Sequence, residues 1–244
     1  MKKKSQSVRR VVVYGIHPIL ELLSAKKRSL LHVYTTKPAP RACAQIVRNL
    51  PAHVPISYVS KEMLNRLAGT VEHQGVVALA QPLPIRGKSF DPARQRFVVL
   101  IDGVQDTRNL GGIIRSASCT GVDGIVVPRT GCAPLNASVG KASVGLVDQV
   151  EIWQPPTAYK AALELKGAGY NLFMAALGGS DATTVSYKLP LCVVIGSEER
   201  GISFEVKRLG TTVMLPQRDP AISYNASVAA GILLFLVSHQ NTII

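Results

Sequence analysis

From residue 97 onward, short apolar runs alternate with segments of helical periodicity. The apolar runs, which we predict as strands, are residues 97–102, 124–127, 149–153, 170–175, 191–195 and 212–215. A longer apolar segment with helical spacing follows over residues 226–237. Apolar strands that alternate with helices are typical of a parallel sheet covered on both faces. We therefore predict an α/β domain with a parallel sheet over residues 97–244.

The first part of the chain has the pattern of a smaller α/β domain, which we predict over residues 11–81. Its strands are expected at residues 30–35, 56–59 and 76–80, and its helices before Lys26-Lys27-Arg28 and at residues 41–49 and 61–67. Residues 1–10 are basic and polar, and we expect a flexible arm there. Residues 82–96 contain three prolines and a glycine without strand or helix periodicity, which predicts a linker.

Positive charge is concentrated in the first part of the chain. Residues 1–95 contain 16 Lys and Arg against 4 Asp and Glu, a net charge of +12, whereas residues 96–244 contain 12 against 11. This asymmetry favours a polyanionic partner, above all nucleic acid, over a uniformly basic surface.

The cysteines, the length of the apolar runs and the missing motifs restrict the cellular compartment and the type of chemistry that we expect. The four cysteines show no CxxC spacing, and no apolar run is long enough to span a membrane. These features predict buried thiols in a reducing cytoplasm. The sequence has no dinucleotide fingerprint, no P-loop and no His/Cys set with metal-ligand spacing, so we expect no metal.

Three polar segments follow predicted strands of the larger domain. The first contains Asn109, a Gly111-Gly112 pair and Arg115, the second runs over residues 196–201, and the third is Ser223-Tyr224-Asn225. We predict that Asn109 caps the helix that follows it. Each segment alone is consistent with an ordinary cap or turn. Together, at the ends of strands in one parallel sheet, they favour a ligand site at its carboxyl edge.

The three segments together resemble the motifs of the SpoU/TrmH family, the RNA ribose 2′-O-methyltransferases of the SPOUT superfamily. The matching residues are Asn109-x-Gly111-x-x-x-Arg115, Ile195-Gly196-Ser197-Glu198-x-x-Gly201-Ile202 and Leu215-Pro216 followed by Ser223-Tyr224-Asn225-Ala226-Ser227. Residues 141–145 are similar to the family's central segment. Residues 14–18 and 73–76 resemble the substrate-binding domain of the RlmB-like branch, which modifies large-subunit ribosomal RNA.

The resemblance implies a deep trefoil knot in the larger domain, a homodimer, and S-adenosyl-L-methionine as the cofactor. It also implies roles for individual residues. The implied cofactor-binding residues are Gly196, Leu215 and Tyr224, with Ala176 and Leu177 as a further wall. The implied catalytic and RNA-contacting residues are Asn109, Arg115, Glu198, Ser223 and Asn225.

The chain departs from the family pattern around the third segment. The usual Ile-Pro-Met is Leu215-Pro216-Gln217, the usual Ser-Leu-Asn is Ser223-Tyr224-Asn225, and the glycine expected near residues 218–220 is missing. Because the implied contacts are mainly through the backbone, we expect cofactor binding to survive these changes.

These observations lead to a functional hypothesis. We expect S-adenosylmethionine-dependent 2′-O-methylation of a ribose in structured RNA, with large-subunit ribosomal RNA as the target. The alternatives are the same reaction on transfer RNA, a catalytically silent RNA-binding protein on this fold, and a generic nucleotide-binding α/β protein.

Individual residues receive roles in this hypothesis. Arg115 would hold an RNA phosphate and stabilise the developing alkoxide, since a guanidinium is too weak an acid to serve as a free base. The two asparagines would orient groups, and Glu198 would fix the segments or position Arg115. The candidates for further RNA contacts in the basic first domain are Lys26, Lys27 and Arg28.

Overall fold

The computed structural model describes residues 10–219 and 222–244. The chain forms two compact units. Unit 1 contains residues 10–84 and Leu135–Gln149, and unit 2 contains Ile85–Pro134 and the described part of Val150–Ile244. Apart from Arg10, the predicted basic arm lies outside the described residues.

The elements alternate along the chain much as the sequence predicts. Up to residue 80 they are β1 (Val11–Tyr14), α1 (Ile16–Ala25), β2 (Leu30–Thr35), α2 (Cys43–Asn49), β3 (Ile56–Tyr58), α3 (Lys61–Ala68) and β4 (Val76–Ala80). From residue 97 they are β5 (Phe97–Asp102), α4 (Thr107–Cys119), β6 (Gly124–Val126), α5 (Ala137–Ala142), a 3₁₀ helix (Leu146–Asp148), β7 (Glu151–Trp153), α6 (Ala158–Gly167), β8 (Asn171–Asp181), β9 (Leu191–Gly196), α7 (Phe204–Lys207), β10 (Thr211–Met214) and α8 (Ala226–Gln240).

Unit 1 contains a four-stranded sheet in the order β1-β4-β2-β3. Strand β4 is antiparallel to both of its neighbours, and β2 is parallel to β3. Helices α1 and α2 contribute to the apolar cluster on one face, and α3 and α5 contribute to the cluster on the other. Strand β1 was not predicted from the sequence, because its four residues are too few to show a periodicity.

The segment Leu135–Gln149, which the sequence analysis placed in the larger domain, packs within unit 1. Its strongest link there is Arg28, which donates from Nε to Asp148 Oδ1 at 2.6 Å and from Nη2 to Asp148 Oδ2 at 2.8 Å. A third donor, Nη1, bonds the carbonyl oxygen of Gln81 at 2.9 Å. The two charged side chains are only 6% and 2% exposed. We therefore correct the predicted RNA contact of Arg28, because its guanidinium is buried and all its bonds are made inside the protein.

Unit 2 contains a six-stranded sheet in the order β10-β8-β9-β5-β6-β7. Every pair of neighbouring strands is parallel, which confirms the predicted α/β class. The central strands β5 and β9 are almost completely buried, as expected for a sheet covered on both faces. Helices α6 and α7 pack on one face, and α4 packs against α8, which also contacts β8 and β9.

The second half of the predicted linker is part of this core. Phe90 is 3% exposed and lies in the apolar cluster beneath α6. Its ring fills the space above Gly124, where an added Cβ would lie 2.2 Å from Phe90 Cζ. The backbone N–H of Arg86 also donates to the carbonyl oxygen of Ile152 at 2.8 Å. A single buried aromatic in a proline-rich segment gives no periodic signal, so the pattern of the sequence could not show this packing.

Helix α4 begins three residues earlier than predicted. Asp106 is its N-cap and accepts a bond from the backbone N–H of Arg108 at 2.7 Å. The predicted cap, Asn109, lies inside the first turn, which leaves its side chain available for other contacts. Gly112 allows close packing of α4 on α8, since an added Cβ would lie 3.0 Å from Ser227 Cβ. Helix packing therefore accounts for this glycine.

Within the described residues, no helix has the length and apolar character needed to cross a membrane. The longest, α8, has 15 residues.

Candidate active site

A cavity of about 370 Å³ opens in unit 2 beside the carboxyl ends of β8, β9 and β10. Its lining includes all of the residues predicted for the cofactor: Ala176, Leu177, Gly196, Leu215 and Tyr224. Two of the predicted catalytic residues, Glu198 and Ser223, also line it. The structure thus brings together residues that are up to 48 positions apart in the chain, while their contacts with a ligand stay a prediction.

The cavity exists because β8 leaves its neighbour β10. Thr212 is paired with Met174, but the next residue, Val213, is paired with Ser180. Residues 175–179 are therefore not paired with β10, and Ala175, Ala176 and Leu177 from this segment line the cavity. Leu177 is 51% exposed although it is apolar, as expected for a side chain at a ligand site.

The loop after β9 folds back tightly on the end of its own strand. Ser197 and Gly201 exchange two backbone hydrogen bonds, at 3.1 and 3.0 Å. Gly201 has a φ of +64°, and a Cβ added to Gly196 would lie 2.3 Å from the carbonyl carbon of Gly201. Both glycines are thus required by the loop itself, which presents Glu198 at the cavity.

A hydrogen-bonded chain joins the three polar segments. Asn225 caps α8, since its Oδ1 accepts from the backbone N–H of Ser227 at 3.0 Å and of Val228 at 3.3 Å. Its Nδ2 donates to Asn109 Oδ1 at 3.0 Å. Asn109 in turn donates from Nδ2 to Glu198 Oε1. The Glu198 carboxylate and the cap of α8 thereby fix the orientations of the Asn109 and Asn225 side-chain amides.

These hydrogen bonds decide between the two roles that were predicted for Glu198. Glu198 was predicted either to fix the segments or to position Arg115. It bonds Asn109, so it links the loop after β9 to α4, and the described residues show no contact between Glu198 and Arg115. A further link between neighbouring loops is made by Asp102 Oδ2, which accepts from the backbone N–H and the Oγ of Ser203, both at 2.8 Å.

Arg115 and Ser223 differ from the other predicted catalytic residues. Both are exposed, and neither forms a hydrogen bond or ion pair with any part of the chain that the structure describes. Ser223 lines the cavity, whereas Arg115 does not. Among the described residues, Arg115 is therefore neither part of the cavity wall nor bonded to the other predicted catalytic residues.

The departures from the family pattern lie on the cavity wall. The Tyr224 hydroxyl donates to the carbonyl oxygen of Pro216 at 3.3 Å. The next residue, Gln217, lines the cavity, and its Nε2 is buried without a partner among the described residues. Gln217 is one of the departures from the family pattern, and its position at the cavity was not predicted from the sequence.

The two remaining candidates for RNA contact lie in unit 1. Lys26 and Lys27 are both exposed, and Lys26 ends α1 in a left-handed conformation with a φ of +54°. Lys27 Nζ donates to the carbonyl oxygen of Gln149 at 2.5 Å. Their contact with RNA stays a prediction.

Two family models match the chain, one over most of the part that contains the cavity and one over the first part of the chain. Residues 96–235 match the model of the SpoU rRNA Methylase family, and residues 12–85 match the model of RNA 2′-O ribose methyltransferase substrate binding. A putative TrmH family tRNA/rRNA methyltransferase of Staphylococcus haemolyticus is 35% identical over 75% of this chain and 76% of its own length.

Two further relatives cover almost the whole chain. The 23S rRNA (guanosine-2′-O-)-methyltransferase RlmB of Pectobacterium atrosepticum is 28% identical over 94% of this chain and 98% of its own length. The crystal structure of the SpoU methyltransferase AviRb from Streptomyces viridochromogenes, in complex with AdoMet, has a TM-score of 0.80 at 21% identity. That match covers 96% of this chain and 92% of AviRb.

These matches confirm the predicted fold class, enzyme class and cofactor. The chain belongs to the SpoU rRNA methylase family and is an RNA 2′-O-methyltransferase that uses S-adenosylmethionine.

Proposed function

We propose that this enzyme methylates a ribose 2′-hydroxyl of 23S ribosomal RNA, with S-adenosylmethionine bound in the cavity of unit 2. The observation that carries the proposal is the chain from Asn225 through Asn109 to Glu198, which fixes three polar segments beside that cavity. The ribosomal target is supported by two relatives that cover nearly the whole chain and are named as 23S rRNA (guanosine-2′-O-)-methyltransferases, whereas other relatives of similar coverage are named as putative tRNA/rRNA methyltransferases.

The residues of the cavity suit this cofactor. A volume of about 370 Å³ lies in the range of small-molecule sites. The wall combines apolar side chains from β8 and α8 with the backbone of the loop after β9, which can bond a nucleoside. Gln217 adds a buried amide donor that has no partner among the described residues, and a bound polar ligand would supply one.

The chain's own residues have to position the RNA and stabilise charge. When bound, S-adenosylmethionine supplies a methyl group that its sulfonium already activates. The protein then needs to hold the 2′-oxygen in line with that group. We propose that Asn109 and Ser223 help to orient the ribose, and that the Arg115 guanidinium binds a phosphate and stabilises the negative charge that develops on the 2′-oxygen as its proton passes to solvent water.

We propose that Arg115 acts in the partner subunit's cavity of a homodimer. Helix α8 is apolar on all sides, and Val228, Ile232 and Phe235 form an exposed stripe that is 48%, 38% and 51% exposed. An exposed apolar stripe of this kind is typical of a subunit interface. Since α4 packs on α8, an interface through α8 would bring the exposed Arg115 close to the other subunit.

We also propose, from membership of the family, that unit 2 is threaded as a trefoil knot. Deep knots are rare in proteins, so this expectation rests on the family and not on the strand order. It would involve the loops that follow β9 and β10, because these loops carry the second and third polar segments.

We propose that unit 1 supplies most of the RNA affinity. It matches the substrate-binding family model, and most of the excess charge lies in residues 1–95. Phosphate contacts of Lys and Arg release counterions, so RNA affinity should fall steeply as the salt concentration rises. An affinity for RNA that hardly changed between low and moderate salt would contradict this role of unit 1.

The target is tested by mapping ribose methylation in total RNA from cells with and without the protein. We expect one 2′-O-methyl group to disappear from 23S ribosomal RNA and to return when the wild-type protein is supplied. The matched control is the Arg115→Ala variant, which should be expressed but not restore the methyl group. Loss of a methyl group from transfer RNA instead would move the reaction to that target, and no loss in either RNA would contradict the proposal.

A further inference from the structure

Two polar side chains, those of Gln217 and Tyr224, lie close together on the cavity wall. The rest of this wall is largely apolar and includes Leu177, Leu215 and Leu233. The hydrogen bonds of these two side chains therefore bear on what the cavity can bind.

The amide of Gln217 is short of a partner. Its Nε2 is buried and forms no hydrogen bond with any described residue. A buried donor without an acceptor destabilises a protein, and such donors are rare unless a ligand or water satisfies them. The terminal torsion of a glutamine is also broad, so the amide can turn toward the cavity that the side chain already lines.

Tyr224 acts on the residue before Gln217. Its hydroxyl donates to the carbonyl oxygen of Pro216 at 3.3 Å, although its side chain is 43% exposed. This bond ties the start of α8 to the chain that leaves β10. A side chain without the hydroxyl could not make it, so the Tyr224 hydroxyl is the group that holds the backbone next to Gln217.

We propose that Gln217 donates a hydrogen bond from Nε2 to an acceptor of S-adenosylmethionine, and that Tyr224 is a positioning residue that holds Gln217 through Pro216. The acceptor is an oxygen or ring nitrogen of the adenosine half, or the carboxylate of the methionine half. This inference rests on the proposal that the cofactor binds in the cavity of unit 2. It adds a contact through a side chain to a site otherwise expected to use the backbone.

The main test is calorimetric titration of S-adenosylmethionine into the full-length wild-type protein and the Gln217→Met variant. We expect the variant to bind about three- to tenfold more weakly, the loss that corresponds to one hydrogen bond. Its melting temperature without cofactor should stay the same or rise, because a buried donor without a partner is removed. A Gln45→Met variant, changed at an exposed position on α2, is the matched control and should bind like the wild type.

The same titration separates the inference from the proposal beneath it. A wild-type protein that failed to bind S-adenosylmethionine would contradict both. Equal affinities of the wild type and Gln217→Met would overturn the role of Gln217 alone. If Gln217→Met did not fold, Gln217→Asn would take its place, since it keeps the amide but withdraws it by one methylene, and unchanged affinity there would overturn the role equally.

Two further arms locate the acceptor and test the tyrosine. Titration of 5′-methylthioadenosine, which lacks the amino acid, should show the same fold loss if the acceptor is in the adenosine half, and none if it is the carboxylate. Tyr224→Phe should weaken cofactor binding in the wild-type background but hardly further in Gln217→Met. Additive losses in the double variant would overturn the positioning role of Tyr224.

Discussion

Unit 1 and the cavity side of unit 2 differ in whether certain charged and polar side chains have hydrogen-bond partners within the protein. In unit 1, the buried guanidinium of Arg28 donates hydrogen bonds to the Asp148 carboxylate and to the carbonyl oxygen of Gln81, both inside the unit. In unit 2, the Arg115 side chain and the Gln217 amide have no partner among the described residues. A buried charged group that is paired inside its own unit should govern stability, whereas polar groups at the cavity should govern binding and catalysis. The following predictions test this separation.

The largest effect is expected from Arg28→Ala. The substitution leaves the Asp148 carboxylate buried without its partner, which should lower the free energy of unfolding by about 3–5 kcal/mol. The measurement is chemical denaturation followed by hydrogen exchange in β1 to β4. Lys26→Ala is the control, since Lys26 is exposed, and it should change stability by less than about 0.5 kcal/mol. An Arg28→Ala protein as stable as the wild type, but with weaker RNA binding, would restore the corrected prediction of an RNA contact.

The opposite behaviour is expected from Arg115→Ala. We expect turnover to fall about 10²- to 10³-fold, the effect of losing one donor to a developing oxyanion, with an unchanged melting temperature. Arg115→Lys should recover little of this activity, because an ammonium cannot reproduce the planar fork. Near-normal turnover of the Lys variant with unchanged RNA affinity would contradict the proposed role.

Mixing two inactive proteins tests whether Arg115 acts across the dimer. The second protein is Ala176→Trp, whose indole should fill the cavity and prevent cofactor binding. If Arg115 serves the partner's cavity, each mixed dimer has one complete site, and subunit exchange should restore about a quarter of wild-type turnover. If Arg115 serves its own cavity, no mixed dimer has a complete site, and the mixture should stay inactive.

A smaller effect is expected in the chain that joins the polar segments. Asn109→Ala removes the side-chain bonds with Glu198 and Asn225 but leaves the cap of α8. The activation free energy of methyl transfer should therefore rise by about 1–2 kcal/mol, which lowers turnover, while the stability stays nearly unchanged. Asn225→Ala should lower both turnover and stability, the latter by about 1 kcal/mol, because it also removes the cap. Asn225→Asp keeps the capping oxygen, so stability that fell equally in this variant would show that the cap does not explain the loss.

The sheet could be predicted from the sequence because it depends on local patterns, and the residues that line the cavity could be predicted through the family resemblance, while their contact with the cofactor stays a prediction. Apolar runs of four to six residues predicted every strand of unit 2, and all five residues that the resemblance implied for the cofactor line the cavity. Arg28 was misassigned because its partner Asp148 is 120 residues away, and an arginine in a basic run looks the same whether it is paired or free. Phe90 and Gln217 were missed for the same reason, since long-range packing decided their environment.

The smallest expected effect concerns the pH dependence of unit 1. His73 is 2% exposed, its Nδ1 accepts from the backbone N–H of Gly75 at 2.9 Å, and its Nε2 lies 2.8 Å from Asn65 Oδ1. Burial lowers the pKa of His73 below its usual value of about 6.5, and the charges of Lys61 and Lys141 lower it further. The neutral imidazole is therefore the form that the fold satisfies internally, as it satisfies Arg28.

The sign of the effect follows from this lowered pKa. Below about pH 6.5, His73 binds a proton in the unfolded chain but stays neutral in the folded protein. The stability contributed by His73 is therefore complete above that pH and is lost as the pH falls toward the pKa of the folded protein. Protection of the β4 amides against hydrogen exchange, corrected for the intrinsic exchange rate at each pH, should fall over this range in the wild type. It should fall less in His73→Gln, which cannot take up the proton. A parallel loss of protection in both proteins would assign the acid sensitivity to other groups, and His73 would then not belong with Arg28.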